Sequence, residues 1–363
     1  MLNFQLEEEQ KMLTDAIGRF AAERVRKVFR EADEDGHLPA ALIQAGWEIG
    51  VLPTSIPEQY GGFGDYSAVT GAIAAEALGW GDLATALHIM TPNLVAIPVL
   101  LSGTEAQKEV HLPLFCEEKQ PPVTAALTEP LVLYDPRNLQ TTAVLRDTHY
   151  YLTGKKCYVP LADKAETFLV YANENGQTQA FFVPADTPGL TVGERDKLMG
   201  LRALPTFTLQ LADVKIPAEN RLGGNEGSDM GLILSHSRVA LGALAVGMIN
   251  GAYEYAREYA KERVQFGEPI AHRQSIAFML AEMAIDVDAA RMMVWEAAWL
   301  LDQGQDATQE TTVMKHFIDD MAVRVADQAL QILGGYGYMR EYPVELWLRN
   351  ARAFATADGL AIV

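Results

Sequence analysis

Arg263 and Gln274 bracket the stretch of this 363-residue chain with the most chemical promise. Between them run Val264-Gln265-Phe266-Gly267-Glu268-Pro269-Ile270, a break between two long helical patterns. Gly267 permits a tight turn and Pro269 sets the exit direction. Arg263 puts a permanent cation at the end of the preceding helix, with a forked geometry that matches phosphate. Gln274 stands just inside the next helix, where its amide reaches a ligand held in the bend. The same spacing also suits an ordinary helix hairpin, with Arg263 merely favourable near a helix C-terminus. In Gln331-Ile332-Leu333-Gly334-Gly335-Tyr336-Gly337-Tyr338, paired glycines let the backbone approach a ligand closely. Gly334 equally fits a helix C-cap. Ser237-Arg238 opens another long helix, where Arg238 suits a buried ion pair.

These residues need a scaffold that alternates in texture. The first third has apolar residues at helical spacing over 6–32, including Leu13, Ile17 and Phe20, and again over 39–50, 66–78, 83–101 and 104–116. Glycines and Pro57 break the pattern between Pro53 and Gly64, and Thr104 with Gln107 makes a capping box. From Val123 to Leu222, short alternating or β-branched runs take over, at 123–127, 141–144, 149–153, 167–172, 180–183 and 206–211. Glu174-Asn175-Gly176 supplies a turn between two of them. Longer helical stripes return afterwards: Leu241, Leu244 and Met248; Ile276, Met283 and Val287; Val313, Phe317 and Met321. With residues 343–355 these make a four-helix bundle, its methionines serving as core filler. The expected fold is therefore α+β and multi-domain. An all-α N-terminal domain (1–120) precedes a β-barrel or sandwich (121–223) and a C-terminal four-helix bundle (224–363).

Composition narrows the function classes. Hydrophobic residues make up 49% and charged ones 21%, an ordinary globular balance. A net charge of -19 argues against nucleic acid, which needs clustered Lys and Arg. No uninterrupted apolar run has membrane-spanning length, so no membrane partner is expected. Cys116 and Cys157 stand far apart, in no metal or redox spacing. With no apolar leader visible, the expected location is a reducing cytoplasm.

Arg-x-x-Phe-Gly-x-Pro-Ile with Gln274, and the Gln331 to Tyr338 run, resemble the signatures of the acyl-CoA dehydrogenases. Gln59-Tyr60-Gly61-Gly62, Ala126-Leu127-Thr128-Glu129-Pro130 and Asp213-Val214-x-Ile216-Pro217 extend the likeness over essentially the whole chain. The resemblance implies a FAD shared between subunits. Arg263, Gln265, Phe266, Gln274 and Gln331-Ile332-Leu333-Gly334-Gly335 would hold the adenosine diphosphate half of a FAD lying mostly in the neighbouring chain. Thr128 and Tyr158 would meet the flavin ring of the chain's own site, and Arg238 the substrate. Asp358 stands where the family has its catalytic Glu, one methylene shorter, which alters the reach of a base.

Other positions depart from the pattern. Leu131-Val132-Leu133-Tyr134 replaces a small-residue loop that holds pyrophosphate, and small residues are what close backbone approach requires. Tyr158-Val159-Pro160 replaces Trp-Ile-Thr. Tyr158 still stacks, while Pro160 has neither hydroxyl nor N–H. Leu360 and Ile362 replace polar FAD contacts, and the family's helix beyond them has no counterpart in the sequence. The neighbour-facing (trans) set is thus kept, and the set that faces the chain's own ring (cis) is eroded except at Thr128. The expected role is one subunit of an acyl-CoA dehydrogenase assembly that completes a partner's FAD site. The implied substrate is an acyl-CoA, and an electron-transfer flavoprotein the electron acceptor. The partner is a homologous subunit or a second copy in a tetramer. Alternatives are an active homotetramer using Asp358 as base, other flavin chemistry such as an oxidase, and a flavin-poor structural subunit.

Overall fold

The computed structural model describes residues 5–363. α1 (Glu8–Phe20) passes through a π-turn at Ala21–Val25 into α2 (Arg26–Asp35), which Gly36 ends at φ 73°, in the left-handed region that suits glycine. α3 (Ala40–Trp47) and α4 (Ala68–Gly81) follow, and Ser67 caps α4 by accepting from Thr70 N. The apolar run 83–101, expected as one helix, is two. α5 (Leu83–Ile89) and α6 (Asn93–Ser102) meet at 50°. Pro92 accounts for the break, because it has no N–H to donate and disfavours a helical residue before it. α7 (Glu105–His111) starts on the expected capping box, with Thr104 and Gln107 bonded reciprocally.

The middle of the chain is a β-domain. β1 (Val123–Ala126), β2 (Thr142–Arg146), β3 (His149–Pro160), β4 (Thr167–Glu174), β5 (Gln177–Pro184), β6 (Leu190–Arg195) and β7 (Thr206–Pro217) share one hydrogen-bonded network. Its order is β1-β4-β2-β3-β7-β6, with β5 on β4. Asn175 and Gly176, both at positive φ, close the β4–β5 hairpin. The sequence pattern does not announce β6, whose only large apolar residues are Leu190 and Val192. Pairing with β7 holds it in place.

Helices return with α8 (Met230–Glu262), α9 (Gln274–Asp302), α10 (Thr308–Leu333) and the short α11 (Val344–Ala351). α8, α9 and α10 pack on one another, α11 packs on α10, and α4 lies along α8. Glycines make that last contact a backbone one. A Cβ on Gly247 would overlap the Glu76 carbonyl, and one on Gly79 would overlap the Leu244 backbone. α8 has the length and apolarity of a membrane span, but 89% of its most apolar window is buried, as befits a core helix. Between α8 and α9, β8 (Val264–Gln265) and β9 (Glu268–Pro269) form a small hairpin that turns at Phe266 and Gly267, both at positive φ. The fold is α+β, with a helical N-terminal region, a middle β-domain and a C-terminal helical domain.

Candidate active site and cofactor surface

Three segments far apart in sequence meet at Asp358. Thr128, just beyond β1, donates its hydroxyl to the Asp358 carbonyl at 3.0 Å. Gly359 N donates to Ser237 Oγ on α8 at 3.2 Å. Gly359 sits at φ 83°, pressed so closely on Leu127 that a Cβ there would come within 2.6 Å of its side chain. The turn that carries Asp358 is thereby fixed through its backbone rather than through its carboxylate. Arg238 Nη2 lies 4.0 Å from Asp358 Oδ2, and Arg238 Nη1 donates to Thr312 Oγ1 at 2.8 Å. Arg238 therefore has the ion pair that its sequence context allowed, and the partner is the candidate base. Asp358 Oδ1 and Arg238 Nε are buried and have no hydrogen-bond partner among the described residues. A carboxylate placed so can accept a proton from a carbon acid, with a cation beside it to hold developing charge.

Beneath this cluster lies a pair that motif reading missed. Lys156 is 0% and Glu129 2% exposed, with Nζ and Oε1 2.9 Å apart. Lys156 also donates to Leu127 O at 2.9 Å, and Glu129 accepts from Gln140 N and Thr141 N at 2.7 Å each. Burial raises the Glu129 carboxyl, but Lys156 and the Thr141 and Gln140 donors outweigh it and hold it below the usual range. Burial pulls the Lys156 ammonium down to about 8 against the opposing pull of Glu129. The pair stays ionised at neutral pH and clamps the strand end carrying Thr128 onto β3. Cys157 N adds a 2.9 Å bond to Thr128 O. Glu129 stood in a quoted motif, but nothing in the sequence joined it to Lys156.

On the side expected to face a flavin ring, β3 bulges between Lys156 and Val159, turning Tyr158 (φ 55°) out of the ladder. Tyr158 lines a cavity of about 210 Å³ with Thr206, Arg352, Thr356 and Leu360. Pro160 is buried in the ladder opposite Thr206 and has no donor to offer. Leu131, Val132 and Leu133 are exposed, whereas Tyr134 turns inward. Its hydroxyl oxygen is buried, with the Thr128 side chain beside it. Burial pushes the Tyr134 phenol up, and the Asp358 carboxylate adds to the shift.

The second region lies at the far ends of α8 and α10. Arg263 N caps α8 through Tyr259 O at 2.8 Å, and its guanidinium lies 5.4 Å from the centre of the Tyr336 ring. Tyr336, not singled out from sequence, thus joins the Arg263 corner to the Gln331 run. Gln265, Phe266, Gln274, Gln331, Gly334 and Gly335 are exposed, Phe266 at 85%. Gly334 (φ 58°) ends α10, and there is open space where a Cβ on either glycine would stand. Ile332 and Leu333 do not join this surface through their side chains, which are buried in the helical core. The 3.6-residue period of α10 turns them inward while Gln331 faces out. Beside the corner, Phe278, Ile285 and Met292 stand exposed at seven-residue spacing on α9.

Comparison with known proteins agrees along the whole chain. The models for the acyl-CoA dehydrogenase N-terminal, middle and C-terminal domains match residues 7–119, 124–214 and 228–361. The chain is 38% identical to the probable acyl-CoA dehydrogenase YngJ of Bacillus subtilis, over 99% of this chain and 96% of that protein. It is 34% identical to the caffeyl-CoA reductase-Etf complex subunit CarC of Acetobacterium woodii, over 98% and 96%. Butyryl-CoA dehydrogenase from Megasphaera elsdenii superposes with a TM-score of 0.89 at 33% identity, covering 99% of this chain and 96% of that one. With every segment matched in order and at these identities, the chain belongs to the acyl-CoA dehydrogenase family of oxidoreductases.

Proposed function

We propose that this chain works in the FAD-dependent α,β-desaturation of an acyl-CoA thioester, and that its α8–α9 corner completes the FAD site of a neighbouring chain. The observation that carries this reading is the corner. Arg263, Gln331, Gly334 and Gly335 are exposed, joined through Tyr336, and open above both glycines. These residues fit the diphosphate and adenosine half of FAD. Arg263 offers charge-assisted hydrogen bonds to phosphate, Gln274 and Gln331 offer amides, and the glycines allow backbone approach. Phe278, Ile285 and Met292 make an apolar face that a second subunit would cover, either a homologous chain or another copy in a tetramer.

The ring-facing side fits less well. Pro160 offers no donor, and residues 131–134 are too bulky to cradle a pyrophosphate as a small-residue loop does. When bound, FAD supplies a hydride acceptor for the β-carbon, with an electron-transfer flavoprotein as onward acceptor. The CarC relative, a subunit of a reductase-Etf complex, supports an electron-transfer flavoprotein as redox partner without fixing the direction of electron flow. A second reading, an active homotetramer, draws on the assembled cluster of Asp358, Arg238 and Thr128. In it Asp358 takes the α-proton while Arg238 balances its charge. The absorbance spectrum of the chain purified alone, and with a homologous partner, tests the proposal. Well below one flavin per chain alone, rising in the assembly, is expected. Tightly bound, stoichiometric flavin on the chain alone contradicts the neighbour-only role and selects the second reading.

A further inference from the structure

Asp358 Oδ1 and Arg238 Nε are buried without hydrogen-bond partners among the described residues, and the buried Tyr134 hydroxyl has the Thr128 side chain beside it, which is itself bonded to the Asp358 turn. Arg238 and Asp358 form an ion pair at 4.0 Å, and Thr128 is bonded to the Asp358 backbone. Tyr134 packs against the same apolar cluster as Leu127 and Ile362, which flank that turn. A buried polar group left unpaired is costly, so a cluster of them marks a place where a ligand supplies the missing partners. The complement can be read from the atoms. A phenol and a guanidinium N–H both donate, and a carboxylate accepts. Burial and the Asp358 carboxylate both push the Tyr134 phenol up, which favours its protonated, donating form. Two donors beside one basic oxygen suit a group that carries an acceptor oxygen next to an acidic C–H.

We propose that Tyr134 donates a hydrogen bond to the carbonyl oxygen of an acyl thioester while Asp358 removes the adjacent α-proton. The α-C–H bond breaks and its proton moves to Asp358 Oδ1. The C–H electron pair becomes the double bond between the α-carbon and the carbonyl carbon, and the carbonyl π pair moves onto oxygen. Tyr134 holds that enolate oxygen without giving up its own proton, and Arg238 adds positive charge nearby. The bulky residue that disqualifies the 131–134 loop from holding pyrophosphate thus gains a use in proton abstraction. This inference rests on the reading that Asp358 serves as base in the chain's own site.

Exchange of the α-protons of butyryl-CoA with D2O, followed by mass spectrometry on the full-chain assembly, measures this step without requiring net oxidation. The enolate absorbance of bound acetoacetyl-CoA gives a second, spectroscopic readout. Tyr134→Phe keeps the packing and removes only the donor. It should slow exchange by about 10- to 100-fold and weaken the enolate band, with thioester affinity changed by less than about threefold. Asp358→Asn should abolish exchange. If the wild-type protein exchanges, Asp358→Asn does not, and Tyr134→Phe matches wild type in both readouts, the role of Tyr134 is overturned and the base assignment stands. If the wild-type protein itself shows no exchange, the base assignment falls and this inference with it.

Discussion

The two surfaces proposed to meet a flavin are built on different foundations. The Arg263 and Gln331 corner stands at the ends of α8 and α10, helices of 33 and 26 residues whose inner faces fill the core. The positions of its polar side chains follow from packing that the fold cannot give up. Ile332 and Leu333, buried beside the exposed Gln331, show the coupling directly. The ring-facing side hangs partly on residues 131–134, of which Leu131, Val132 and Leu133 are exposed and contribute little to any core. A loop of that kind can change its residues at small thermodynamic cost. If both surfaces meet a flavin as proposed, a contact carried by a core helix is tied to the packing of the fold, whereas one carried by an exposed loop is not. Within the ring-facing side, Thr128 is the exception that supports this view, because the buried Lys156–Glu129 pair anchors it.

The sharpest way to break the comparison is to ask whether the eroded side still does chemistry. Asp358→Asn in the assembly should lower turnover on the order of 10²- to 10⁴-fold and leave flavin content unchanged if this chain runs its own proton abstraction. Turnover barely altered would mean that only its neighbour-facing corner matters.

A second prediction concerns the anchor. Lys156→Met leaves the Glu129 carboxylate buried with two backbone donors and no cation. A loss of roughly 3–5 kcal/mol in stability is expected, read as a lower midpoint in urea. Adding Glu129→Gln should recover part of it. If the single substitution costs no more than an exposed ion pair, the pair does not clamp the Thr128 strand end.

The sequence makes some of this visible and hides the rest, for physical reasons. Helical periodicity exposes α8, α9 and α10, because each buries one face along many turns. The capping box at Thr104 and the Asn175-Gly176 turn are local chemistry and stand where their residues imply. β6 escapes notice because its stability comes from the partner strand rather than its own pattern. The break at Pro92 was written in the chain and is outweighed, on reading, by the apolar run around it. The Lys156–Glu129 pair spans 27 residues and exists only once β3 lies beside the end of β1. Tyr336 follows the same logic. Its ring meets Arg263 only after α8 and α10 pack, although both residues sit in motifs legible on their own. The inward turn of Tyr134 is likewise a property of the folded loop, since four bulky residues in a row do not say which one points in.

The smallest of the expected effects bears on the central claim, that the α8–α9 corner holds part of a FAD whose ring lies in a neighbouring chain. Flavin release on dilution, compared for assemblies containing wild type, Arg263→Ala and Arg263→Lys, measures it directly. Loss of a charge-assisted phosphate contact should weaken cofactor binding by roughly 1.5–3 kcal/mol, about ten- to hundredfold in affinity. Lysine should restore only part of that, since it keeps the charge but not the forked geometry. Release from the alanine variant at the wild-type rate, with at most a small change in stability, would contradict the account and reduce Arg263 to a favourable charge at a helix end.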